Sequence, residues 1–156
     1  MKLPHPLSET LAPLFEKLPL DAAMPELLPK QPISDELVAL VEELTGLPSI
    51  KANPTLAAGL WLYVDDLHRS HELSQQILTS EGSLWHGIMH RREGDFWNSK
   101  YWFRKAGDSA GLSVATASIF VDRVEKATPA QLPALLTEQR AEWQKLFEWC
   151  AKETQS

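Results

Sequence analysis

Apolar residues along this chain recur at three- and four-residue intervals rather than at alternate positions, the pattern of helices buried through one face. Over 34–45, Leu37, Leu40, Val41 and Leu44 fall at helical spacing, Ser34 is placed to cap the start, and Gly46 and Pro48 stop the run. A long central helix is predicted over about 54–78: Pro54 suits its first turn, and Leu56, Leu60, Tyr63, Val64, Leu67, Ser74 and Leu78 collect on one side. Gly82 separates it from a short helix through "SLWHGIMHRRE", where Trp85, Ile88, Met89 and Arg92 share a face and Gly94 ends the element. Asp95 is a natural N-cap for "DFWNSKYWFRKAG", Gly107 supplies its break, and Arg104 and Lys105 stand near the negative end of its dipole. Two more helices are predicted over about 112–126 and 129–151, the second carrying Leu132, Leu135, Leu136, Trp143, Leu146, Phe147 and Cys150. "GLSVATASIFVDRV" is the only β-branched stretch, and its spacing of Val114, Ala117, Phe120, Val121 and Val124 suits a helix equally well. The expectation is an all-α, irregular globular fold of about five to seven helices with no internal repeat.

A length of 156 residues is enough to bury roughly 70% of the unfolded surface around one core, so a single domain is expected without disulfide or structural metal. Residues 1–32 hold seven prolines and are expected to wrap around that core as an arm, with at most a short helix through "SETLAPLFEKL", which Ser8 would cap and Pro13 weaken. The single cysteine, Cys150, cannot form an internal disulfide, and "MKLPHPLSET" has no apolar leader, which points to a reducing cytoplasm. The apolar run "TLAAGLWLYV" is stopped by Asp65 and Asp66 well short of a membrane span.

A formal charge of −6 argues against broad nucleic-acid backbone binding. The interval 86–107 inverts that sign: Arg91, Arg92, Lys100, Arg104 and Lys105 against Glu93 and Asp95 leave it at +3. It could receive a small anionic ligand or an acidic protein surface; the plainer alternative is that these cations pair with the acidic remainder of the chain.

Three histidines carry the candidate chemistry. His86 and His90 lie four apart, so a helix projects both from one flank, with Glu93 beside them a turn later. Gly87 stands where the zinc-protease pattern needs Glu, and a bare His-x-x-x-His pair recurs by chance. His71 falls inside the apolar stripe of the preceding helix and must find a hydrogen-bond partner or a ligand. An antiparallel return after Gly82 would bring it against His86 or His90, giving a three-histidine site for a divalent metal with Glu93 or Glu72 as base or fourth ligand. The structural alternative is that these imidazoles cap buried polar groups and fix helix packing.

Trp85, Phe96, Trp97, Tyr101, Trp102 and Phe103 cannot all face inward from so short a segment. Most belong to a core face; Trp97 is expected to line a cleft with Asn98, Tyr101 and Arg104, where a ring could stack and polar groups orient a ligand. "EGDFWN" lacks the glycines and Lys-Ser/Thr of a phosphate loop, and "GDSAG" is not a hydrolase elbow.

The run "DDLHRSHELSQ" followed by "EGSLWHGIMHRREGDFWNSKYWFRKAG" resembles a family of uncharacterised bacterial and fungal proteins marked by Ser-His-Glu, then Trp-His…His-Arg-Arg-Glu, then Asn-x-x-Tyr-Trp-Phe-Arg. The resemblance covers about residues 60–107 and brings no activity with it. It places emphasis on His71, Glu72, His86, His90, Arg91, Arg92, Glu93, Asn98, Tyr101, Trp102, Phe103 and Arg104, while the position of His68 in that pattern is often acidic or otherwise not histidine.

Two classes of function follow. The first is a noncatalytic ligand-binding or interaction module with a His/Arg/aromatic cleft. The alternative is a small metal-dependent enzyme, hydrolase-like, acting on an anionic small molecule: His71, His86 and His90 hold the metal, Glu93 or Glu72 is the base, and Arg91, Arg92 and Arg104 orient the anion. Metal content separates them, and the distance between the three imidazoles is the structural observation that bears on the choice most.

Overall fold

The computed structural model describes residues 1–153. Among them are nine α-helices and no strand, so the fold is all-α with somewhat more helices than the periodicity predicts. The order is α1 (Leu7–Lys17), α2 (Asp35–Gly46), α3 (Pro48–Lys51), α4 (Pro54–Tyr63), α5 (Leu67–Ser74), α6 (Ser80–Glu93), α7 (Phe96–Ala106), α8 (Val114–Glu125) and α9 (Leu132–Glu153).

The excess comes from the short α3, which the periodicity does not predict, and from the expected central helix over 54–78, which is broken in two. Asp65 takes φ 64°, a left-handed conformation that a helix cannot contain, and Asp66 then caps α5 by accepting from the Arg69 amide at 3.1 Å. Ser70 Oγ donates to Ala58 O at 2.8 Å and fastens α5 back against α4. The apolar stripe runs on through Val64 and Leu67, so the corner leaves no trace in it. Leu78 lies beyond α5 and is 97% exposed.

The central element is instead α6. Every residue from Gly82 to Arg92 is buried, so this helix has no solvent face despite its two histidines and two arginines. Thr79 caps its start, moving that start ahead of Gly82, and Gly94 ends it at φ 87°. α7 returns along α6, capped by Asp95, and the two helices meet where Ser99 Oγ donates to Gly87 O at 2.6 Å. A Cβ on Gly87 would lie 2.9 Å from the Phe103 ring, so this crossing needs glycine.

Helix α9 closes the other side. Trp143 donates from Nε1 to Gly59 O at 2.8 Å and stacks on Phe147 at 4.6 Å between centroids, while Tyr63 and Phe15 continue the aromatic cluster towards α1. The α1 leucines Leu7, Leu11 and Leu14 are buried, and Pro13 is accommodated inside that helix, which starts at Leu7 rather than after a Ser8 cap. No helix among the described residues is long and apolar enough to cross a membrane.

Candidate metal centre

The histidines come together where α5, set off from α4 by the corner at Asp65, packs against α6: the connection at 75–79 reverses the chain and leaves His71 facing His86 and His90. The His71 ring centroid is 4.8 Å from that of His86 and 5.4 Å from that of His90, and His86 and His90 stack at 4.7 Å. One nitrogen of each ring lies within 4.8 Å of the others. Tetrahedral zinc with bonds of about 2.0–2.1 Å needs nitrogens roughly 3.3 Å apart, so the rings would close by up to about 1.5 Å around an ion.

Each imidazole has its own setting. His90 Nδ1 lies 2.6 Å from Glu93 Oε1, and since an ionised carboxylate only accepts, the neutral tautomer this contact selects has its proton on Nδ1 and its lone pair on Nε2. His86 is 3% exposed, sandwiched between His90 and the Trp102 indole, whose centroid is 3.8 Å away at 12°. Its Nδ1 is buried with no hydrogen-bond partner. Burial, then the neighbouring His90, His71 and Lys105, pushes the His86 pKa down to about 3. His71, half-buried, is also shifted down, first by burial and then by His90. Both shifts favour the neutral ring, the form that ligates a metal.

The cluster borders a cavity of about 380 Å³ lined by His71, Glu93, His68, Asp66, Lys30 and Met89, among others. Glu93 therefore touches both His90 and open space. Glu72, the alternative base, is turned away: its Oε1 lies 2.9 Å from His68 Nε2, and its side chain lines a different hollow with Trp61 and Arg69.

The arginines are not where an anion would meet them. Arg91 is fully buried: Nη1 donates to Glu142 Oε2 at 2.9 Å, Nη2 approaches Oε1 at 2.9 Å off the hydrogen-bond direction, and the guanidinium lies 4.5 Å from the Phe120 ring centre. Arg92 is equally buried and donates to Asp65 Oδ1 at 2.6 Å. The plainer reading of the local positive charge, pairing with acidic residues elsewhere in the chain, holds for both, and for Lys100, 2.5 Å from Asp122 Oδ1. Asn98 serves the α7 cap through Asp95 Oδ2 at 2.7 Å. Trp97 and Tyr101 are exposed and stacked on one another at 6.1 Å, and Arg104 is exposed nearby on the same helix.

Sequence reasoning placed Trp102 among rings that cannot all face inward and among the positions the resemblance emphasises, but missed it as the ring against His86. It also missed His68 and the arm residues around Lys30 as cavity lining; no pattern marks a wall built from separate segments. Asp95 belongs with His90 and Glu93 to a second group of donor atoms within 4.8 Å of one another, and its N-cap role was its visible signal. No family model, curated protein or solved structure matches the chain.

Proposed function

We propose that this protein holds one divalent transition-metal ion on His71, His86 and His90, and that the centre is of the open, hydrolytic kind. The observation that carries the reading is the convergence of three imidazole nitrogens within 4.8 Å, from two neighbouring helices. The unpartnered buried nitrogen of His86 supports it, since an orphaned polar atom costs about 1–3 kcal/mol unless a ligand satisfies it. Imidazole sets suit zinc, copper, iron or nickel. Three protein ligands leave a fourth position for water, whose pKa a bound metal lowers towards neutrality. Glu93, on the cavity wall and hydrogen-bonded to His90, would orient that ligand and accept the water's proton. Arg91 and Arg92 are taken up by buried pairs with Glu142 and Asp65, so a substrate anion in the cavity would meet Lys30 on its wall.

Elemental analysis of untagged protein tests the reading. About one equivalent of metal is expected, and His90→Ala should lose most of it while keeping its helical circular dichroism. A metal-free wild type that gains no stability from any of these ions overturns it. The noncatalytic module is the second reading, favoured by the exposed Trp97–Tyr101 pair on α7; metal retained with no hydrolysis of any ester or phosphoester probe would select it.

A further inference from the structure

Two of the three histidines owe their spacing to one helix, and the third does not. His86 and His90 sit a turn apart on α6. His71 stands on α5, whose direction is set at its start by the corner at Asp65, where the backbone takes a left-handed conformation that an L-residue adopts at a cost. Asp65 is 4% exposed, and a carboxylate so buried needs a counter-charge to stay there. Arg92 supplies it, two residues beyond His90. Nη2 donates to Asp65 Oδ1 at 2.6 Å and to Glu26 O at 3.1 Å, and Nη1 donates to Leu62 O at 3.0 Å, in the last turn of α4. One guanidinium thus grips the end of α4, the corner that aims α5, and the arm whose residues 29–32 wall the cavity.

We infer that Arg92 is a positioning residue of the three-histidine site, holding His71 in register with His86 and His90 through Asp65; the inference rests on the metal-centre reading. Arg91 is its internal control. It is the adjacent residue, equally buried, but its carboxylate partner Glu142 lies on α9 and its ring contact Phe120 on α8, so it grips nothing that aims α5.

The test is zinc affinity, by chelator competition on the full chain, together with the visible spectrum of the cobalt-loaded protein. The variants are Arg92→Lys, Asp65→Asn and Arg91→Lys, each alone and combined with His71→Ala. Loss of an outer partner typically weakens metal affinity about 10–100-fold. Arg92→Lys and Asp65→Asn should each do so, shift the cobalt spectrum towards that of His71→Ala, and add less than about twofold once His71 is gone, because residues acting through one another are not additive. Arg91→Lys should leave affinity within about twofold of wild type. Should Arg92→Lys fail to fold, Asp65→Asn decides, since it keeps the shape of the side chain and an acceptor for the guanidinium. Wild-type affinity in folded Asp65→Asn, or losses that multiply with that of His71→Ala, overturns the inference. Zinc binding by the wild type is read first: its absence ends the metal-centre reading, whereas zinc binding indifferent to Asp65 and Arg92 ends this inference alone.

Discussion

His86 resists protonation first through its burial, then through the neighbouring His90 and His71, and then through the Lys105 ammonium, which stands 4.5 Å from the centre of the Trp102 ring. Its pKa falls from 6.5 to about 3 on folding, so below pH 6.5 the unfolded chain binds a proton that the folded chain refuses. Stability from this group is complete above about pH 6.5 and drains away as pH falls towards 3, at up to about 1.4 kcal/mol per pH unit. Denaturant melts of metal-free protein should show that slope, and His86→Gln should flatten it; an unchanged slope would falsify the assignment of the strain to His86. At this scale the sequence was partly legible. The i,i+4 spacing of His86 and His90 gave their shared flank, and the place of His71 in an apolar stripe gave its inward direction. The Trp102 contact was not legible, because Trp102 stands about 100° round the helix from Phe103, off the core face, and periodicity does not say which neighbour a flanking ring meets.

Helix α6 is held by close contacts whose worth can be measured one at a time. Gly87→Ala should destabilise by about 1–3 kcal/mol, since its new Cβ would stand 2.9 Å from the Phe103 ring and force α7 outward; a neutral effect in thermal melts would mean that the crossing is looser than it looks. Arg91 is a different case. Arg91→Ala strips Glu142 of its counter-charge in a half-buried setting and should cost about 3–5 kcal/mol, whereas the paired change Arg91→Met with Glu142→Leu should recover most of that, because the pair's attraction largely offsets its desolvation. A double variant as unstable as the single one would show instead that the guanidinium over Phe120 matters for itself. The elements were read well where punctuation is chemical: Ser34 caps α2, Asp95 caps α7, and Gly94 takes the left-handed turn after α6. They were misread at Asp65. A corner held by a buried ion pair to a residue 27 positions away leaves the hydrophobic pattern unbroken, and only the partner reveals it.

Across the whole molecule, the proposed centre joins α5 to α6, so metal binding and folding are coupled. In the unfolded chain His86 and His90 can still meet by forming one helical turn, but His71 is separated from them by a loop whose closure costs entropy. The folded state therefore binds the metal more tightly, and the excess appears as stability: about 2.7 kcal/mol when free metal is 100 times its dissociation constant. For a chain of this length a change of 1 kcal/mol moves the melting temperature by roughly 2–4 °C. Adding zinc at that ratio to chelator-treated protein should raise the midpoint by about 5–10 °C, and His71→Ala should lose most of the rise, since it removes the ligand that links the two helices. The rise should also shrink on acidification through the range in which the unfolded histidines take up protons, because protons and metal compete for the same nitrogens. Calorimetry with and without zinc at pH 7.5 and pH 5.5 measures all of this in one set. A shift of equal size in His71→Ala would place the ion elsewhere, on the His90, Glu93 and Asp95 donors that need no contribution from α5.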